Sequence, residues 1–371
     1  MKLFIYEIKK LLFTEKGMVV TFAALALTVI AALVIPEQRD KRIVNAHKVY
    51  DELMILYHGP DSAWKQQEVR ERQENIQNIL SMYDEKYRTY RAGHLSDEEW
   101  DQYKALYNQA ASEEAAVDIF FSKAVSFSFV EDKFIPSYID DYGWNTVFLF
   151  LGFPSVFSLL AIIYLASRSV SIETENGMLS VLYASYYGRR ELVLAKLSSV
   201  MVIAAVLAVM TVFSEMLIFI LRGFFSDSNV ISASIQWFYE AESVKSSPLI
   251  ISLMMTEMLR TTGLVLCAVL TYSLSVLLKS GRSAILIMLM ILTSSSVLYL
   301  SGNNLALSGL SGLLCGSRLL QNNTAACFLQ PVSCIFVVAV LTLLSITKFS
   351  SSKGELYKQR KYINGSSSRY H

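Results

Sequence analysis

The sequence predicts an all-α polytopic membrane protein with six transmembrane helices, an N-terminal interfacial helix, and an extracytoplasmic helical domain between spans one and two. Two observations predict this fold class. Of the 371 residues, 53% are hydrophobic and 18% are charged, whereas about 25% are charged in an average soluble domain. The apolar residues are also concentrated in six separate blocks, each near the ~20 residues that a helix needs to cross a bilayer.

The six blocks are predicted to be helices, because they lack the period-two alternation of strands and because lipid requires every backbone polar group to be satisfied within the segment. The first is interpreted as an uncleaved signal anchor rather than a cleaved signal peptide, since a long stretch of 16 residues precedes it and no small-x-small pattern ends it. The blocks are residues 17–36, 144–167, 197–221, 249–278, 283–302 and 331–347.

Orientation follows from the basic residues in the connections, because positive charge resists translocation. With the N-terminus inside, the cytoplasmic segments carry 16 Lys and Arg residues, whereas the outer segments 222–248 and 303–330 carry three. Both termini are therefore expected in the cytoplasm, and residues 37–143 outside. The cytoplasmic segments are 1–16, 168–196, 279–282 and the basic tail 348–371.

Residues 37–143 are predicted to form a soluble helical domain, with 21 acidic and 13 basic residues and a formal charge of −8. The helix-breaking residues 58–61 separate a first helix from a second, and Ala92-Gly93 ends the second. Ser96 followed by Glu99 predicts a capping box for a third helix. Two apolar stripes at helical spacing predict the core of a hairpin or three-helix bundle: Ile76, Ile79, Leu80, Tyr83, Tyr87 and Tyr90 form one, and Trp100, Tyr103, Leu106 and Tyr107 the other.

Residues 1–16 are predicted to form an amphipathic interfacial helix on the lipid surface, since Phe4, Ile5, Ile8, Leu11 and Leu12 share one arc of a helical wheel. The opposite arc is mostly charged and includes Lys2, Glu7, Lys9 and Lys10. Because those lysines also enforce the orientation of the first span, the two interpretations are compatible.

The chain carries no recognisable catalytic motif, phosphate-binding loop or dinucleotide fingerprint. His47, His58 and His94 would have to converge from separate helices to bind zinc, so we expect no metal site. A net charge of +1 gives no indication of a nucleic-acid partner. Cys315 and Cys327 lie in the same outer segment and leave two alternatives open, a disulfide or free thiols.

Three charged residues fall inside predicted spans: Glu215, Glu257 and Arg260. Charge at this depth requires a partner or water, because leaving it unpaired costs several kcal/mol. Arg260 has two candidate partners, Glu215 on the neighbouring span and Glu257 one turn away on its own helix. The three residues are either a polar substrate or gate region or a structural ion pair.

The connection 168–196 carries the most specific pattern: acidic residues and a glycine open a short amphipathic helix, and a polar turn with two arginines leads into the next span. This passage resembles the coupling loop of the membrane-spanning permease subunits of type 2 ABC exporters. The residues that fit that family pattern are Glu175, Gly177, Leu179, Leu182, Ser185, Arg189 and Lys196. The sequence departs from the pattern at Met178, where threonine is usual, and at Tyr186, where proline is usual.

The resemblance implies a permease in a bacterial cell membrane that works with a separate cytosolic ABC ATPase. ATP and Mg²⁺ would then be bound by that partner, with no cofactor and no catalytic residue in this chain. It also implies a dimer with a second copy or a homologous permease. Two other classes stay open: a membrane sensor or scaffold that transports nothing, and a membrane enzyme, which the lack of a converging catalytic motif disfavours.

Overall fold

The computed structural model describes residues 2–14, 16–36, 46–128, 130, 134–175, 188–238, 244, 246–300, 310–314 and 324–351. Helices dominate this part of the chain. In order they are α1 Lys2–Lys9, α2 Gly17–Val34, α3 His47–Tyr57, α4 Ala63–Ser81, α5 Tyr83–Arg91, α6 Asp97–Phe127, α7 Tyr142–Phe150, α8 Val156–Glu175, α9 Gly188–Leu221, α10 Leu249–Leu278, α11 Gly281–Leu300, α12 Leu310–Leu314 and α13 Thr324–Ser351.

Among the described residues, five helical segments are long and apolar enough to cross a membrane, as expected for an all-α membrane protein, whereas the sequence predicts six spans. They are Gly17–Val34, Val156–Glu173, Glu191–Leu221, Leu249–Leu278 and Pro331–Lys348. In α11, Gly281–Ser294 is a shorter apolar stretch. The central helix is α10, against which α8, α9, α11, α12 and α13 pack. By contrast, α2 and α13 expose most of their apolar side chains, as helices that face lipid do.

The second predicted span differs from the expected single helix 144–167. The chain forms α7, breaks at residues 151–155, and resumes as α8, which extends to Glu175. Gly152 adopts a positive φ of 97° within the break, a conformation that glycine adopts without strain. Pro154 follows and lacks the N–H that an uninterrupted helix requires. Hydropathy alone missed the break because the residues on both sides of it are equally apolar.

The N-terminal segment forms α1 and then one π-helical turn, Lys10–Thr14. Its buried face differs from the predicted one. Glu7, placed on the polar arc by the helical wheel, is 2% exposed, whereas Ile5 is 44% exposed. The helix packs against α9, because Glu7 has a buried cationic partner there and Leu11 enters the membrane-domain core.

The domain that the sequence predicts outside the membrane, which we call the outer domain after that prediction, consists of α3 to α6 and a short antiparallel strand pair, β1 Gly59–Pro60 with β2 Ser137–Tyr138. Its core contains only residues between Ala46 and Tyr142, separate from the core of the membrane helices. The predicted capping box is confirmed: Ser96 Oγ accepts from Glu99 N, and Glu99 Oε2 accepts from Ser96 N. These backbone and hydroxyl hydrogen bonds lower the pKa of the Glu99 carboxyl.

The predicted aromatic stripes meet across the hairpin formed by α5 and α6. The rings of Tyr83 and Tyr107 are 4.2 Å apart, and those of Tyr90 and Trp100 stack at 5.1 Å. The aromatic residues of the two stripes therefore face each other, although the second helix, predicted to continue to Ala92-Gly93, is divided at Met82 into α4 and α5. Leu106, predicted as part of the same stripe, is 53% exposed and lies outside this contact.

The outer domain also packs on the segment that follows α9, which the sequence did not predict. Ser137 N donates to Ser234 Oγ at 2.9 Å, and Ser226 Oγ donates to the carbonyl of Asp140 at 3.4 Å. Lys123 is buried at the base of the domain, 2.8 Å from Asp141 Oδ1. The domain is thus attached to the membrane helices through more than its two chain connections.

Candidate functional site

The first candidate site is a cluster of four charged side chains where α1 and the π-helical turn after it meet α8 and α9. Glu7, Glu173 and Lys196 are buried and Lys10 is partly exposed; we call this cluster the ionic clamp. Lys196 Nζ lies 2.6 Å from Glu173 Oε1 and 3.2 Å from Glu7 Oε2. Lys10 Nζ lies 3.1 Å from the same Glu173 oxygen. Two acids and two bases balance in charge, so the cluster can be buried without an uncompensated ion.

Helix geometry explains how the clamp forms. Ser169 and Glu173 are four residues apart on α8 and therefore share a face, and Lys196 donates to the Ser169 carbonyl at 2.9 Å. Lys196 is fully enclosed, at 3% exposure. Gly281 at the start of α11 lies against the same end of α8, where an added Cβ would come within 2.8 Å of the Ser171 side chain. The ends of four helices are therefore held together beside residues 176–187.

The predicted coupling residues fall into three groups. Lys196 is a member of the ionic clamp and is not exposed for direct docking. Glu175 and Arg189 lie on the last turn of α8 and the first turn of α9, respectively. Gly177, Leu179, Leu182 and Ser185 lie outside the described residues, so their role stays a prediction.

The sequence analysis placed Glu7 and Lys10 on the polar arc of the N-terminal helix and did not single out Glu173, so none of the three was predicted as a site residue. Glu173 could have been found from the sequence if the second span were assumed to continue as a helix past residue 167. It is then an acidic residue on the same helical face as Ser169, close to the end of the span. For Glu7 the sequence holds no such signal, because one carboxylate among lysines on an amphipathic helix is typical of a solvated face.

The second candidate site is the intramembrane triad Glu215, Glu257 and Arg260. Arg260 Nη2 lies 2.6 Å from Glu215 Oε2 and 2.8 Å from Glu257 Oε2. Both pairings that the sequence left open are therefore present. Arg260 and Glu215 are 0% exposed and Glu257 is 8% exposed. The triad has two negative charges and one positive charge, so it holds one carboxylate in excess.

The break between α7 and α8 lies beside the triad. A Cβ on Gly152 would be 3.7 Å from Arg260 Cδ and 3.1 Å from the carbonyl oxygen of Leu314. At the break, Gly152 therefore lies against both the aliphatic stem of Arg260 and the end of α12. Discontinuous helices with charged residues beside them are typical of substrate and ion sites in transporters.

Among the described residues, no three His, Cys, Asp or Glu side chains are arranged to hold a metal ion. His58 pairs with Asp227, at 3.3 Å. Cys267 and Cys334 are free thiols buried between helices, whereas the side chains of Cys315 and Cys327 lie outside the described part of the chain.

Comparison of the chain with known protein families, with curated proteins and with solved structures finds no match.

Proposed function

We propose that this protein is the membrane-spanning permease subunit of an ABC exporter, driven by a separate cytosolic ATPase and working as a dimer with a second permease. The resemblance of residues 175–196 to the exporter coupling loop supports the proposal. The single observation that carries it is the ionic clamp, which joins the two helices that flank that loop to each other and to the N-terminal helix.

The proposed arrangement has six spans with both termini in the cytoplasm of a bacterial cell. Helices α2 and α9 end on the same side, since Arg222 donates to the carbonyls of Ala32 and Ile35. The outer domain lies on that side, in contact with residues 226 and 234. The ionic clamp lies at the opposite ends of α8 and α9. This polarity agrees with an outer domain on one face and a coupling loop on the other.

In the proposed mechanism, movement of the ATPase displaces the loop, and the clamp passes this movement to the spans. Leaving one member of a buried ion pair without its partner costs about 3–5 kcal/mol, so we expect α1, α8 and α9 to move together rather than independently. The ATPase favours one arrangement of the spans by binding it more tightly, which is how a ligand on one chain shifts the conformation of another. This chain contributes no catalytic residue, and ATP and Mg²⁺ are bound by the partner.

The proposal is tested by purifying the full-length chain in mild detergent and identifying co-eluting ATPases that carry a phosphate-binding loop. Arg189→Glu and Gly177→Val are expected to reduce ATPase capture or to uncouple ATP hydrolysis from transport, because both change the proposed docking loop. Arg282→Glu is the matched control: it makes the same charge change at an exposed position of another predicted cytoplasmic turn.

The control is expected to leave capture and export unchanged, and all three variants to remain inserted. Normal capture together with normal export after Gly177→Val and Arg189→Glu would contradict the proposal. Stable expression without any co-eluting ATPase would favour the alternative, a sensor or scaffold that transports nothing.

A further inference from the structure

The intramembrane triad contains more charge than its ion pairs neutralise. Both carboxylates point an Oε2 atom at the same nitrogen of Arg260. Within the described structure, Oε1 of each glutamate and both Nε and Nη1 of Arg260 have no hydrogen-bond partner. Buried polar groups without partners are rare in folded proteins, and a second buried carboxylate beside a single guanidinium is an uncompensated negative charge.

We propose that the triad is a proton-binding site, in which Glu257 reversibly takes up one proton on its Oε1 atom. The proton comes from water, and its binding changes the net charge of the triad from −1 to 0. Oε2 of the protonated carboxyl continues to face Arg260. This site is independent of the ATPase partner proposed above.

Glu257 is assigned as the proton acceptor because of its position. Its side chain is 10% exposed, whereas that of Glu215 is 0% exposed and 0.2 Å closer to Arg260. The carboxylate oxygens of both glutamates are buried, so the longer contact with Arg260 is what assigns the proton to Glu257 and leaves Glu215 as the counter-ion of Arg260.

A proton fits the site better than a metal ion. The guanidinium already occupies the space between the two carboxylates, so a metal cation that bound both would lie against a positive charge. A proton instead becomes part of one carboxyl group and needs no coordination shell. Two carboxylates that share a site commonly hold one proton between them.

No other charged side chain faces the triad from the described elements around it. Helices α7 and α12 contain no Asp, Glu, Lys or Arg residue. The other charged residues of α9 lie between Arg189 and Lys196, at its start, and Arg222 beyond its end donates to the carbonyls of Ala32 and Ile35. The charged residue of α11 is Arg282, at the start of that helix. On α8, the charged residues Arg168, Glu173 and Glu175 lie in its C-terminal half. Lys348 of α13 contacts Leu277, about 25 Å along α10 from Arg260 at 1.5 Å per residue. The proton balance of the site therefore depends on the three residues themselves.

The test uses the full-length protein in lipid nanodiscs and a lipid-soluble carbodiimide, which reacts with protonated carboxyl groups in apolar surroundings. Peptide mass spectrometry then locates the label. We expect Glu257 to be labelled, increasingly so as the pH falls, and Glu215 to remain unlabelled. Glu215→Gln is expected to reduce the labelling of Glu257 by about tenfold at fixed pH, because a lone carboxylate beside a guanidinium stays ionised.

Glu113→Gln is the control, since it removes a carboxylate from the outer domain and should not alter the labelling of Glu257. A second measurement on the wild-type chain guards against misfolding of Glu215→Gln: the infrared difference spectrum between acidic and neutral pH should contain the band of a dehydrated carboxylic acid.

Absence of label from Glu257 at every pH at which the protein stays folded would overturn the proposal. Unchanged labelling in a folded Glu215→Gln variant would also overturn it. If replacing choline with Na⁺ at constant pH abolished the labelling, the excess charge would belong to a metal-ion site and the proton assignment would be wrong.

Discussion

Lys196 and Glu173 form a buried ion pair of 2.6 Å that joins the two helices on either side of residues 176–187. The two residues are 23 positions apart, and their pairing closes the base of the predicted coupling loop. The same lysine also holds Glu7 of the N-terminal helix at 3.2 Å. A single ammonium group thus connects three chain segments, which makes it the first position to test.

Lys196→Met is expected to destabilise the membrane domain by about 3–5 kcal/mol, because it removes the buried cation that faces Glu7 and leaves Glu173 with Lys10 alone. Lys10→Met is the matched control: Lys10 contacts the same glutamate but is 18% exposed, and its loss should cost less than about 1 kcal/mol. Denaturant unfolding in mixed micelles measures both. An equal loss of unfolding free energy in the two variants would show that burial of Lys196 does not increase its contribution to stability.

The intramembrane triad predicts an unequal series of variants. Arg260→Gln should be the most harmful, at about 3–5 kcal/mol, because it leaves two buried carboxylates without a counter-ion. Glu215→Gln should be milder, since Arg260 keeps Glu257 at 2.8 Å. The double variant, Glu215→Gln with Arg260→Gln, should be less destabilised than Arg260→Gln alone, because Glu257 is then the one carboxylate of the triad without a cation. Yield of monodisperse protein and thermal stability rank the series; a double variant as damaged as Arg260→Gln would argue against the pairing of Glu215 with Arg260.

The outer domain is expected to fold on its own. Its core draws only on residues between Ala46 and Tyr142, so circular dichroism of an expressed 37–143 fragment should be dominated by helix. Phe120→Ala should destabilise it by about 3–5 kcal/mol, because this ring is 0% exposed and lies within 6 Å of Tyr50, Tyr57 and Tyr138. The exposed Leu106→Ala is the control. A disordered or β-rich spectrum of the parent fragment would refute independent folding.

Alkaline pH should unfold the same domain. Burial, reinforced by nearby Asp141, raises the pKa of Tyr50, and burial with nearby Asp61 raises that of Tyr138. An unfolded tyrosine loses its proton near pH 10, whereas these two keep theirs while folded. The stability they contribute is therefore fully present below about pH 10 and falls above it, by up to about 1.4 kcal/mol per pH unit for each tyrosine.

Tyr50→Phe is expected to make this alkaline loss less steep, because it removes one of the two groups that ionise only on unfolding. Tyr87→Phe, at a 38% exposed position, is the control and should leave the slope unchanged. Fluorescence-detected unfolding midpoints between pH 8 and 12 are the measurement. The same slope in wild type and Tyr50→Phe would mean that other groups control the alkaline transition.

The aromatic hairpin illustrates what could be predicted. The caps and stripes of α5 and α6 are local patterns, and local patterns can be interpreted from the sequence because helical periodicity places residues three and four apart on one face. The same reasoning located the apolar segments, since the length and hydropathy of each are properties of a continuous stretch of chain. It located the three intramembrane charges as well, because any charge within an apolar block stands out.

What the sequence did not predict depends on contacts between distant segments. Glu7 was expected on a solvated arc, and only the approach of Lys196, 189 residues away, makes burying it favourable. The break at Gly152 was hidden because the residues around it are apolar whether the helix continues or not, and its place beside Arg260 depends on the packing of α7, α10 and α12. The sequence by itself thus determined the helical membrane class, the outer hairpin and the presence of intramembrane charges. Only the tertiary structure decided which charges meet and leave one carboxylate in excess, because the free energy of a buried charge depends on the partners that the fold brings to it.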